Sequence, residues 1–238
     1  MGWQGLPVCM GRAASAFIFC IVFMSSAWPA CGADPSHEVR SFNVTIDGKD
    51  AGSYTMSIDA RADGTQIMEG HADIKLTKYL VYNYTYKYDG TEIWKNDRLQ
   101  TLDSSCNDDG KKYTVKLFPE GDALRVKTHE SDSGRQIGAD VWTTTYWRLV
   151  SPKFRNGGGV YLLDADTGRY MAGTMMYVGQ DFIDILGKKQ KYNHYHMTGG
   201  DNGELDVHLW YDGFERLVKQ VAKEDGHVYV LTLGKYNR

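Results

Sequence analysis

Phe42-Asn43-Val44-Thr45-Ile46-Asp47-Gly48-Lys49-Asp50-Ala51-Gly52-Ser53-Tyr54-Thr55-Met56-Ser57-Ile58 decides the fold class. Phe42, Val44 and Ile46 recur with a period of two, Asp47-Gly48 supplies a tight turn, and Tyr54, Met56 and Ile58 repeat the period on the return. The same grammar runs outward from this hairpin. Asp63-Gly64, Asp89-Gly90, Asn96-Asp97, Asn107-Asp108-Asp109-Gly110 and Glu120-Gly121-Asp122 punctuate further alternating runs through Val126. After a segment from Thr128 to Gly159 that breaks the rhythm, strands resume at Val160–Leu163 and continue to Leu233. Some twelve to fourteen strands are expected, too many for a flat open sheet. The expectation is an all-β protein: a single curled antiparallel sheet, a barrel or half-barrel, over residues 34–238. Trp142, Tyr146 and Trp147 within the irregular segment need burial, so it is read as a short helical or irregular plug packed on the sheet.

Composition agrees. The 238 residues carry a net charge of −3 from 27 basic and 30 acidic side chains, which gives no footprint for a nucleic acid backbone. Twenty-six glycines and sixteen tyrosines suit an antiparallel protein rich in turns. Arg12, the apolar run Ala16–Met24 and the small residues to Ala33 read as a secretory signal over 1–33, cleaved before Asp34. The run is too short to span about 30 Å of hydrocarbon, so no integral membrane segment is expected after its removal, and the location is periplasmic or secreted. A retained anchor helix and an outer-membrane lipoprotein acylated at Cys31 are the alternatives; Trp28 stands where lipoprotein signals carry an aliphatic residue. Cleavage leaves Cys106 as the single cysteine, with no disulfide partner and with acidic neighbours that oppose a reactive thiolate.

No phosphate-binding loop, Cys-x-x-Cys pair, His-Glu-x-x-His helix or Gly-x-Ser-x-Gly elbow is present. Leu80, Tyr82, Tyr84, Tyr86 and Tyr88 share one face of a strand, which fits either a core face or the wall of a pocket for a lipid, aromatic or sugar ligand. On the hairpin around Gly199–Gly203, odd residues Tyr195, Met197, Leu205, Val207 and Leu209 are apolar and even residues include His194, His196, Asp206 and His208. Registers near an even sum of 402 keep the apolar set together, with His194 facing His208 and His196 facing Asp206. The even face is then either a solvated surface, a proton-transfer set (His194, His208, Asp206) or a zinc site (His194, His196, His208). Otherwise no cofactor is implied. Asp212-Gly213 reads as a turn, with Tyr211 anchoring the corner through its hydroxyl.

The order Asp47-Gly48-Lys49-x-Ala51-Gly52, Glu92-x-Trp94-x-x-x-x-Leu99, Asn107-x-x-Gly110-Lys111, Tyr146-Trp147, Asp166-Thr167-Gly168 and Leu209-Trp210-Tyr211-Asp212 resembles a family of uncharacterised exported bacterial β proteins. That family is similar in shape to the lipoprotein-localisation carriers, in which a curved sheet wraps a hydrophobic cavity. The resemblance implies a fold and an envelope location and no reaction. The leading functional expectation is therefore an exported carrier of a small hydrophobic, lipid or glycan ligand, lined by Tyr82, Tyr84, Tyr86, Trp94, Trp147 and Trp210. The alternatives are an envelope glycan- or lipid-acting enzyme using the histidine hairpin, and a structural or assembly factor.

Overall fold

The computed structural model describes residues 35–78 and 82–238, the side chains of 77–83 and of 132 excepted; the expected signal segment 1–33 lies outside the described residues. Fifteen strands form one sheet: β1 (Ser36–Ile46), β2 (Lys49–Ala60), β3 (Thr65–Lys78), β4 (Tyr82–Lys95), β5 (Arg98–Asp108), β6 (Lys111–Glu120), β7 (Ala123–Thr128), β8 (Ser131–Ile137), β9 (Val141–Thr143), β10 (Asn156–Leu163), β11 (Tyr170–Ile185), β12 (Lys188–Gly199), β13 (Leu205–Tyr211), β14 (Leu217–Glu224) and β15 (His227–Asn237). No described helix is long and apolar enough to cross a membrane.

The strand order is β8-β7-β6-β5-β4-β3-β2-β1-β15-β14-β13-β12-β11-β10-β9. The chain starts mid-sheet, meanders to one edge, crosses to the other and meanders back until β15 pairs antiparallel with β1. Only residues 138–140 separate edge strand β8 from edge strand β9, a Cα span of at most about 15 Å. The sheet must therefore curl until its edges nearly meet. Within the stretch from Thr128 to Gly159 that breaks the sequence rhythm, Ser131–Ile137 forms β8, whose short, polar character suits an exposed edge.

Curling gives every strand an inner parity. Phe42, Val44, Ile46, Met56, Met68, Leu102, Val115, Met197 and Leu209 are all almost wholly buried on that face. Tyr54 and Tyr88 flank Ala72 across β2, β3 and β4, and their rings meet edge to face at 6.3 Å. They lie over the cross-strand pair Gly70 and Gly90. A Cβ on Gly70 would stand 2.8 Å from the Tyr54 hydroxyl, and one on Gly90 would stand 2.1 Å from that of Tyr88, so the missing side chains make room for the rings.

The irregular segment is a plug. Val141, Trp142 and Thr143 of β9 are buried, as are Tyr146 and Trp147 beyond it. Three inward groups from distant strands hold it. The wholly buried Glu92 of β4 accepts from Trp94 Nε1 (2.6 Å), Thr145 Oγ1 (2.7 Å), Trp147 Nε1 (2.9 Å) and Thr143 Oγ1 (3.1 Å). Arg40 of β1, paired with Glu38, donates to the carbonyl of Trp147 at 3.1 Å. Tyr211 of β13 donates to the carbonyl of Tyr146 at 2.8 Å, so its hydroxyl anchors the plug and not the Asp212-Gly213 corner expected from the sequence. Tyr146 itself has φ of 49°, a left-handed backbone that a bulky residue keeps only when its surroundings enforce it.

Candidate functional site

The curl leaves a cavity of about 780 Å³ above the plug, within the roughly 300 to 1,000 Å³ common for small-molecule sites. Val44, Ile46, Ile74, Leu76, Val207 and Leu231 line it with aliphatic side chains. Tyr54, Tyr84, Tyr86, Tyr88, Tyr113, Tyr146 and Tyr229 bring phenol rings to it, and Asp108, Asp164, Asp166 and Glu224 bring carboxyl groups. The carboxyls arrive from the β5 terminus, the β10–β11 loop and the end of β14. Ser104 Oγ donates to the carbonyl of Ala165 at 2.6 Å and Tyr86 donates to Asp166 Oδ2 at 2.8 Å, which pins that loop inside the curl. Asp164 organises the loop by accepting from the Thr167 hydroxyl at 2.7 Å and the Asp166 N–H at 3.1 Å.

Burial and mutual repulsion shape the charge of this site. Burial, then the nearby Asp164 charge, pushes Asp166 up to about 7, against the opposing pull of the Tyr86 hydroxyl. Glu224 is raised by burial and by Asp164, Asp225 and Asp108. Burial, then Asp166 and Asp108, pushes the Cys106 thiol up to about 12, so this cavity-lining cysteine is not a poised nucleophile. Tyr88 and Tyr146 border the cavity, but their hydroxyl oxygens are buried in the surrounding packing and have no hydrogen-bond partner among the described residues. Such groups cost roughly 1 to 3 kcal/mol each while unpaired.

The expected pocket residues divide. Tyr84 and Tyr86 line the cavity; the side chain of Tyr82 lies outside the described residues. Trp94 and Trp147 do not line it: Trp147, in the plug, packs edge to face on Trp94 at 6.5 Å, and both spend their indole N–H groups on Glu92. Trp210 is on the opposite face of the sheet, stacked on His194 at 4.3 Å. Excess aromatic area was the ground for placing all six in a pocket, and for these three that area is used in packing.

The histidine hairpin has the expected parity and a different register. Tyr195 pairs with Leu209, His196 with His208 and His194 with Trp210, two residues beyond the anticipated alignment. Opposed positions sum to 404, because a loop of five residues, 200–204, replaces the shorter turn. Glu204 folds back there to accept from the Asn202 N–H at 2.8 Å and to pair with Arg169. A slip of two leaves the apolar set facing inward, so alternation alone does not detect it. The anticipated partners nevertheless meet along diagonals: His194 Nε2 lies 2.8 Å from His208 Nδ1, and His196 Nε2 lies 2.8 Å from Asp206 Oδ1. Asp181, on the far side of the β11 bulge, extends the row, with its Oδ2 3.0 Å from His194 Nδ1 and accepting from Trp210 Nε1 at 2.8 Å. Burial, then the neighbouring His196, lowers His208 despite Asp206, and burial likewise lowers His194 despite Asp181. The rings face away from the cavity, on the outer side of the sheet.

Glu92 and the cavity carboxyls went unrecognised in the sequence. Glu92 shares the parity of Tyr84, Tyr86, Tyr88 and Trp94, which marks it as inward. Asp164 and Asp166 sit on a loop, where no periodicity assigns a direction.

Residues 42–234 match the family model described as Domain of unknown function (DUF6134). The chain belongs to that family. Among solved structures, this DUF6134 protein is similar to a β-barrel-like protein of domain of unknown function DUF1849 from Brucella abortus. The two share 12% identity with a TM-score of 0.66, over 84% of this chain and 97% of the other. A DUF1089 family protein from Pseudomonas aeruginosa aligns at 13% identity and a TM-score of 0.37 over 66% of this chain and 83% of its own. No curated protein matches. The Brucella likeness establishes the β-barrel-like fold and carries no activity with it.

Proposed function

We propose that this DUF6134 protein is an exported binding protein that holds a small hydrophobic or amphipathic ligand inside the curled sheet. The observation that carries the reading is the 780 Å³ cavity lined by interleaved aliphatic and tyrosine side chains with several carboxyl groups among them. A core built only for stability would close such a space, because voids and unpaired polar groups both cost free energy. The aliphatic side chains and tyrosine rings take the body of the ligand, and the carboxyls of Asp164, Asp166 and Glu224 meet its polar end. No ring of the histidine row reaches this space, so carrying the ligand needs no chemistry from that row.

Native mass spectrometry of the full protein purified from its own cell envelope, compared with the denatured mass, tests the reading. The expected result is an added mass, on the order of several hundred daltons, released on denaturation. Leu76→Trp, which fills part of the cavity, should abolish that mass while the far-ultraviolet circular dichroism stays native. Tyr84→Ala should weaken retention more than it lowers stability, since Tyr84 is only half-buried. Protein that is bare in every preparation, or equally loaded in Leu76→Trp, overturns the proposal.

A further inference from the structure

The outer face of β12 and β13 carries a second constellation. The geometry points to a site for a single first-row divalent metal ion, of which zinc is the reference case, ligated by His196 Nε2, His208 Nε2 and Asp206 Oδ1. One ligating atom from each of these three residues lies within 4.8 Å of the others. Asp206 Oδ1 is 2.8 Å from His196 Nε2 and 3.9 Å from His208 Nε2. A tetrahedral ion with bonds of about 2.0 to 2.2 Å separates its ligand atoms by roughly 3.3 Å, a value these two distances bracket. Because the two imidazole rings lie parallel at 4.1 Å, ligation requires both to rotate about χ1 and χ2 until their Nε2 lone pairs converge on one ion.

The sheet itself makes the placement. His196 and His208 are directly opposed in the ladder, with rings parallel at 4.1 Å, and Asp206 precedes His208 by two residues on the same face. What lies behind His208 separates this set from a chance surface cluster. His208 Nδ1 is held at 2.8 Å by His194 Nε2, and His194 Nδ1 at 3.0 Å by Asp181, whose same oxygen accepts from Trp210 Nε1. The carboxylate fixes the tautomers along the row: His194 donates from Nδ1 to Asp181, and His208 donates from Nδ1 to His194. His208 Nε2 then carries a lone pair 3.9 Å from the Asp206 carboxylate oxygen, two electron-rich atoms with no proton between them. A cation resolves that juxtaposition. Carboxylate–histidine support of this kind is the usual outer shell of a metal-bound imidazole.

Lys223 Nζ stands 3.4 Å from Asp206 Oδ2, which leaves Oδ1 for the ion. On metal binding the proton of His196 moves from Nε2 to Nδ1, so both imidazoles enter neutral. Two imidazoles and one carboxylate favour zinc and its first-row neighbours over calcium or magnesium, and three protein ligands leave a position open to water. His194 is here a positioning residue and not a ligand.

Chelator-treated full-length protein titrated with zinc alone, with bound metal counted by elemental analysis after dialysis, is the test. One zinc per chain is expected. His208→Ala, and separately His196→Gln, should reduce affinity at least 100-fold while thermal unfolding shows a folded protein. His194→Ala should weaken it only about 10- to 100-fold, the range found for outer-shell partners, and cobalt bound to that variant should keep the visible spectrum of the wild type. His71→Ala, which removes an exposed histidine 2.6 Å from Asp89 elsewhere on the sheet, should leave the stoichiometry unchanged. Absence of bound zinc, undiminished affinity in His208→Ala, or loss of the site in His71→Ala overturns the proposal. Equal losses in His194→Ala and His208→Ala overturn the division between ligand and support.

Discussion

Replacing Glu92 by leucine should be the most damaging single change in the plug, and replacing it by glutamine one of the mildest. Leucine fills most of the volume but leaves the indole N–H groups of Trp94 and Trp147 without an acceptor. The hydroxyls of Thr143 and Thr145 still have each other at 2.8 Å. Two stranded buried donors at about 1 to 3 kcal/mol each predict a loss of about 2 to 6 kcal/mol. Relief from burying a carboxyl group offsets part of this, and the centre of the range, about 3 to 5 kcal/mol, is the expected outcome. For a domain of this size that lowers Tm by roughly 6 to 20 °C. Glutamine can present its carbonyl where Oε2 now accepts from both indoles and Thr143. Its NH₂ group then donates to the Thr145 hydroxyl, which donates on to Thr143, and every partner is kept. Glu92→Gln should therefore stay within about 1 kcal/mol of the wild type. Burial raises the Glu92 carboxyl above its ordinary value although the four donors pull it down, so its contribution is fullest at low pH and is lost as pH rises through the raised value. The glutamine variant lacks that dependence. Urea unfolding followed by tryptophan fluorescence measures both substitutions. Glu92→Leu within 1 kcal/mol of the wild type would refute the anchoring argument, and Glu92→Gln falling as far as leucine would refute the claim that acceptor placement, not charge, is what the plug requires.

Asp166 gives a second pH signature. Its carboxyl titrates near 7 in the fold against an ordinary value of 3.8, so the stability tied to its protonated form is complete below about pH 4 and is lost as pH rises through 7. At about 1.4 kcal/mol per unit the full difference is at most about 4 kcal/mol, less where cavity water screens it. Asp166→Asn should flatten the urea-stability profile between pH 5 and 8; parallel profiles for the two proteins would remove the claim. Gly70→Ala should cost about 1 to 3 kcal/mol, because its Cβ would meet the Tyr54 hydroxyl at 2.8 Å and the Tyr88 ring at 3.2 Å, and Gly90→Ala should cost at least as much. Thermal melts of the two variants decide this, and unchanged melting temperatures would mean that the rings have room to move. Cys106, buried and with its thiol raised to about 12, should react with a thiol reagent at pH 8 only as fast as the protein opens. A rapid native reaction, timed against urea-unfolded protein, would contradict that placement.

Sequence periodicity carried the fold because a half-buried strand writes its inward face into every second residue, and that record survives at Phe42–Ile46, Tyr84–Tyr88 and Tyr195–Leu209 alike. It carried parity and not phase. A shift of two residues in the β12–β13 ladder alters no inward side chain, so the histidine row was legible as a row while its members were offset by one pair, and only the five-residue loop closed by Glu204 settles the alignment. The plug shows the complementary limit. Glu92-x-Trp94, Tyr146-Trp147 and Leu209-Trp210-Tyr211, far apart in sequence, converge there: Trp94 and Trp147 on Glu92, and Tyr211 on the Tyr146 carbonyl. Motifs that are unspecific one at a time are thus, at these positions, the two sides of buried hydrogen bonds. Their order along the chain carried the resemblance, while their function as anchors depended on contacts spanning up to 65 residues, which no local pattern encodes. The same reasoning explains the tryptophans assigned to a pocket. Trp94 and Trp147 were read from bulk alone, but an inward tryptophan one alternation away from an inward glutamate is better read as a donor to it. The cavity was left to the tyrosines, whose rings pack beside aliphatic neighbours while their hydroxyls tolerate polar ones.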